Sequence, residues 1–105
     1  MAQFSVYTNT NPITKAIYPF IIDVHSPLLD SLETRLVIPL SQKSRFNEKA
    51  IIHLTPVLLI NSIEYLVLTP QIAAIQKKHI GTYIGDFAKY RNEIVYSIDF
   101  LITGF

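Results

Sequence analysis

Only one stretch of this 105-residue chain carries a helical repeat, and it lies at the C-terminal end. From Asp86 to Ile102 apolar residues recur at spacings of three and four: Phe87, Tyr90, Ile94, Ile98 and Leu101. Val95 and Ile102 widen that stripe, and Asp86, after Gly85, is a suitable N-cap. The rest of the chain is short apolar runs separated by turn residues. Strands followed by one terminal helix predict an α+β fold on an antiparallel sheet.

The runs can be placed in order. Phe4 to Thr8 alternates apolar and polar residues and predicts a strand. Asn9-Thr10-Asn11-Pro12 is a turn, and Ala16 to Val24 a second strand in which Pro19 implies an edge or a bulge. Thr34 to Leu40 is a third strand, ended by Pro39 and Ser41. Ser41 to His53 is a loop with room for one helical turn over 46–51. Pro56 to Ile60 and Ile63 to Thr69 flank Asn61-Ser62 as a hairpin. Gln71 to Ile80 holds a further strand or two, and Gly81 is expected to break it.

Residues 1–105 suffice for one domain with one modest core. Apolar residues make up 50% and charged residues only 16%, against about 25% in an average domain. So little polar surface predicts an extra apolar interface, most simply a homodimer. The net charge of +1 argues against strong direct binding to nucleic acid, which needs many phosphate contacts. No apolar stretch approaches the ~18 residues of a membrane span, and the N-terminus lacks the basic and apolar regions of a signal peptide. A cytoplasmic protein is expected. The absence of cysteine removes disulfide and thiolate-metal chemistry.

No catalytic constellation stands out. Asp23, His25 and Ser26 are close in sequence, but a triad needs a continuous Ser–His–Asp hydrogen-bond chain, and Ser26 points away from the other two. His25, His53 and His79 lack metal-ligand spacing, the carboxylates are scattered, and three glycines form no phosphate loop. No cofactor and no metal are expected. The most unusual feature is the end itself, Ile102-Thr103-Gly104-Phe105. An aromatic ring beside a terminal carboxylate cannot be deeply buried without burying the charge. It either folds back at the surface or serves a partner.

Several blocks carry a family likeness: Gln3-Phe4-Ser5-Val6-Tyr7-Thr8, Asp23-Val24-His25-Ser26-Pro27-Leu28-Leu29-Asp30, Arg35-Leu36-Val37-Ile38-Pro39-Leu40, Pro56-Val57, Leu68-Thr69, Arg91-Asn92-Glu93-Ile94, and the Gly104-apolar ending. In this order and spacing the chain resembles the CcdB family, the gyrase-poisoning toxins of type II toxin–antitoxin systems. The resemblance implies a small SH3-like, barrel-like antiparallel sheet with a subsidiary sheet and a C-terminal helix, a fold shared with MazF-like ribonuclease toxins. It implies a homodimer that is not an enzyme. Such a dimer binds the A subunit of DNA gyrase and traps the cleaved DNA complex. A cognate CcdA-like antitoxin neutralises it, in a setting of plasmid maintenance and transcription autoregulation.

Carried over by position, the gyrase-binding residues are Leu28, Leu29, Asn92, Asp99, Ile102, Thr103, Gly104 and Phe105. Leu28 and Leu29 are expected to be exposed beside the helix end. Two departures stand out: a well-known member has Trp at the position of Thr103, and Asn is frequent at the position of Asp99. Two other functions fit the same fold. One is an mRNA-cleaving toxin, for which Arg35, Arg45 and Lys49 are the candidate residues. The other is an inactive protein-interaction module.

Overall fold

The computed structural model describes residues 2–29, 31–46 and 54–104. Its strands are β1 (Ser5–Asn9), β2 (Phe20–Asp23), β3 (Thr34–Gln42), β4 (Val57–Ile60), β5 (Ile63–Val67), β6 (Ala73–Gln76) and β7 (Ile80–Asp86). One α-helix, α1 (Arg91–Thr103), follows them. All strand pairings are antiparallel. The sheet runs β4-β5-β3-β2-β1-β7, with β6 also paired to β3, and it curls into a half-barrel. The α+β expectation therefore holds. Among the described residues, no helix is long and apolar enough to cross a membrane.

The two-residue period of the strands divides the sheet into two faces. Val6, Ile22, Val24, Ile38 and Leu40 point to one face and form the main core with Leu58, Tyr65, Val67 and Ile94. Tyr7, Ile21 and Val37 point to the other, where Ile75 and Ile80 pack on them. Phe87, Tyr90, Val95 and Ile98 also pack on the main core, so the stripe predicted for the helix is largely the one used. Leu101 and Ile102 depart from it, at 38% and 76% exposed. Opposite the solvent, Ser97 Oγ and Thr69 Oγ1 are hydrogen-bonded at 2.8 Å, and both residues are fully buried.

Four sequence expectations are corrected. The second strand begins at Phe20 rather than Ala16. Asn side chains capture the preceding backbone into turns: Asn11 Oδ1 accepts from Ile13 N at 2.9 Å, and Asn9 Nδ2 donates to the Tyr18 carbonyl at 2.8 Å. Pro19 thus precedes β2, which is a central strand.

Pro39 lies inside β3 rather than ending it. In a strand the N and O of one residue face the same neighbour. The Pro39 carbonyl accepts from Leu68 N at 3.0 Å. Its missing N–H therefore faces the seam where β3 changes partner, from β6 at residues 34–37 to β5 at residues 40–42.

Gly81 does not break the chain but sits in β7. A Cβ there would lie 2.9 Å from the Thr8 carbonyl oxygen and closer still to Thr8 Oγ1. Glycine is needed for the close approach of β7 to β1, which continues with Thr82 N donating to Thr8 Oγ1 at 2.8 Å.

The helix begins at Arg91 rather than Asp86. Asp86 Oδ1 does cap backbone, accepting from Ala88 N at 2.9 Å, but the turn it starts is the 3-10 segment Ala88–Tyr90. Phe87 N donates to the Phe4 carbonyl at 2.8 Å and ties this segment to the start of β1. The expected turn over 46–51 lies almost wholly outside the described residues. A 3-10 turn forms just before it, at Lys43–Arg45.

Candidate functional site

Two exposed groups on this scaffold hold the residues singled out by resemblance. The first is the 3-10 turn Pro27–Leu29. Leu28 is 93% exposed and Leu29 49%. The turn closes locally, with Leu29 N donating to the Ser26 carbonyl at 3.0 Å and Leu28 N to Ser26 Oγ at 3.3 Å. A leucine this exposed gains nothing from its own fold, since apolar surface is stabilising only when removed from water.

The second group is the outer face of α1. Asn92, Asp99 and Thr103 follow the spacing i, i+7, i+11 and so share one face. All three are exposed. Tyr96 completes the series at i+4 and is 47% exposed, with its ring tilted against Phe100 at a centroid distance of 6.5 Å. The resemblance did not supply Tyr96. The i, i+4, i+7, i+11 spacing around Asn92 is the sequence signal that finds it. Ile102 projects at the rim of the same end.

The helix then stops in an orderly way. Thr103 Oγ1 donates back to the Asp99 carbonyl at 2.7 Å. Gly104 takes the left-handed conformation, φ 78°, and its N donates to the Phe100 carbonyl at 2.8 Å. A Cβ on Gly104 would meet no atom within 4 Å, so glycine serves the backbone angle here rather than a close approach. Phe105 lies outside the described residues.

Within one chain, α1 packs chiefly on the turn Thr69–Gln71 and on the segment Ala88–Tyr90. The Leu28–Leu29 turn is held from β2 and β3 instead. His25 Nδ1 accepts from Leu36 N at 3.1 Å, and His25 Nε2 lies 3.0 Å from the Leu29 carbonyl.

The residues weighed for catalysis are used structurally. Asp23 Oδ1 accepts from His25 N at 2.8 Å, and Asp23 Oδ2 pairs with Arg35. Both imidazole nitrogens of His25 face backbone, so no Ser–His–Asp relay exists. Arg35 is 1% exposed and has no access to a polyanion. Arg45 is exposed, and Lys49 falls outside the described residues. Among the described residues no cluster of His, Asp and Glu could hold a metal ion. A cavity of about 400 Å³ opens on the second face of the sheet, floored by Ile21, Val37 and Ile75 and rimmed by Asn11, Thr14 and His79. It contains none of the residues carried over by resemblance.

The fold and these surfaces define a small α+β protein with a curled antiparallel sheet, a C-terminal helix and exposed apolar side chains on the Pro27–Leu29 turn and at the helix end. The family model described as CcdB protein matches residues 3–104, and the chain belongs to the CcdB family. It is thus a toxin of the toxin–antitoxin class.

Proposed function

We propose that the protein acts by binding rather than by catalysis, as a homodimer that engages the A subunit of DNA gyrase and traps the cleaved DNA complex. The contact surface is Leu28 and Leu29 together with Asn92, Asp99, Ile102, Thr103, Gly104 and Phe105. A cognate antitoxin of the CcdA type releases the enzyme, and the protein works in the cytoplasm. The observation that carries this reading is the exposed helix end: Ile102 stands 76% exposed two residues before the left-handed stop at Gly104. An apolar side chain kept in water beside an ordered helix stop is suited to a partner's pocket. Two copies related by a two-fold axis present that end twice, and a two-fold gyrase dimer gains avidity from both.

The mRNA-cleaving alternative loses its central cation, because Arg35 is sealed in an ion pair with Asp23. A gyrase supercoiling assay that scores linear DNA on the same gel tests the proposal. Purified protein is expected to cause linear DNA to accumulate, and Phe105→Glu and Ile102→Glu to abolish this while leaving the dimer intact. Normal supercoiling at large protein excess refutes it.

A further inference from the structure

His25 is 7% exposed, yet it reaches a turn whose neighbouring residue is 93% exposed. β2 ends at Asp23, and the last backbone bond between its continuation and β3 runs from Val24 N to the Leu36 carbonyl at 2.9 Å. The Leu36 N–H is then taken by a side chain, His25 Nδ1, at 3.1 Å. A backbone N–H can only donate, so Nδ1 carries the lone pair and the ring proton sits on Nε2. That proton points at the Leu29 carbonyl, 3.0 Å away. The ring therefore extends the β2–β3 ladder on one side and grips the turn on the other.

The grip is itself oriented. His25 N–H donates to Asp23 Oδ1 at 2.8 Å, and Asp23 Oδ2 holds Arg35 Nε at 3.0 Å. These two are the charged groups of β2 and β3 that face the histidine segment. The Leu29 carbonyl also accepts from Leu32 N at 3.1 Å, so that carbonyl has one local tie and one tie to the His25 ring. Among the described residues, the His25 bonds are what tie the turn to β3. Leu28 is exposed and has no packing of its own to set its position.

We propose that His25 is a positioning residue for the partner-binding surface: its Nε2–H bond to the Leu29 carbonyl sets how Leu28 is presented. This rests on the reading that Leu28 and Leu29 touch gyrase. Two substitutions separate the two ring nitrogens. His25→Asn keeps an acceptor at the δ position and loses the donor at ε. His25→Gln keeps an amide donor at the ε position.

Affinity for purified gyrase A subunit is measured for the full-length protein and both variants, with Leu28→Ala as the reference for a lost contact. Loss of one positioning hydrogen bond predicts about a tenfold weaker complex for His25→Asn. His25→Gln is expected to stay within about twofold of the parent on the same grounds. Amide exchange at Leu29 and Leu32 is expected to speed up in the Asn variant and stay at the parent rate in the Gln variant. Nitrogen-15 spectra of the parent imidazole are expected to show a protonated Nε2 and a bare Nδ1, an arm that needs no variant to fold. Equal affinity for Asn and Gln, unchanged exchange in the Asn variant, or a proton on Nδ1 overturns the proposal. If the parent protein itself fails to bind gyrase, the gyrase reading falls, and the exchange and imidazole spectra alone decide the role of His25.

Discussion

Arg35 grips a single oxygen of Asp23: Nη2 lies 2.6 Å and Nε 3.0 Å from Oδ2, and the two residues are 1% and 0% exposed. The other carboxylate oxygen takes the His25 N–H at 2.8 Å. Asp23 stands opposite Val37, so Arg35 is its diagonal neighbour on the same sheet face. Burying both charges costs desolvation, and the bonds around them offset that cost.

Removing one partner keeps the cost and loses the offset. Asp23→Leu is expected to destabilise the protein by about 3–5 kcal/mol. The double substitution Asp23→Leu with Arg35→Met removes both charges and is expected to cost less than Asp23→Leu alone. Urea unfolding of the parent, both single variants and the double variant gives the coupling. A double variant as unstable as the sum of the singles would mean that the pair does not act as a unit.

The β4–β5 hairpin carries a different kind of strain. Asn61 and Ser62 have φ of 52° and 66°, as a type I′ turn requires. Asparagine tolerates this region, but serine pays for its Cβ there. Ser62→Gly is expected to raise stability by about 1 kcal/mol. Thermal unfolding measures it, and a lowered Tm would show that Ser62 makes a compensating interaction.

The hairpin was legible because its two apolar runs flank a two-residue polar link, and register follows directly from that link. The helix stripe was legible for the same reason: a 3.6-residue period survives any context. What the sequence hid depends on partners distant along the chain. Pro39 looks like a strand end until β3 is seen to change neighbours at that residue. Asp86 looks like an α-helix cap, because a 3-10 turn needs the same carboxylate. In the candidate site the residue types came from resemblance, and those among the described residues are exposed. The tether from His25 to Leu29 was invisible, since no local pattern announces which backbone carbonyl a histidine will meet.

Gly81 gives a sharper test of close packing. Gly81→Ala would drive a methyl group into Thr8, and the Thr8 backbone carbonyl cannot rotate away. Overpacking of this kind predicts a loss of about 1–3 kcal/mol. Removing the Thr8 hydroxyl should recover only part of it, because Thr8→Ala leaves the carbonyl in place and sacrifices the bond to Thr82 N. Chemical denaturation of the single and double variants decides the point. A fully rescued double variant would assign the whole clash to the Thr8 side chain.

Tyr7 makes the alkaline limb of stability predictable. It lies on the sheet face that also holds Asp23 and meets Tyr83 edge-on, with ring centroids 5.7 Å apart. Burial pushes its phenol above the ordinary value of 10.0, and the nearby Asp23 carboxylate adds to the shift; a hydrogen bond with Ser5 opposes it. Below pH 10.0 the folded and unfolded chains both hold this proton, and the group contributes no pH dependence. Above it the unfolded chain releases the proton first. The folded state then binds more protons than the unfolded state, so stability falls as pH rises toward the folded-state pKa. Tyr7→Phe keeps the ring and removes the ionisation. Unfolding midpoints followed from pH 8 to 11 are therefore expected to fall less steeply for Tyr7→Phe than for the parent, with the curves separating only above about pH 10. Curves that stay parallel across that range would mean that Tyr7 ionises equally in both states.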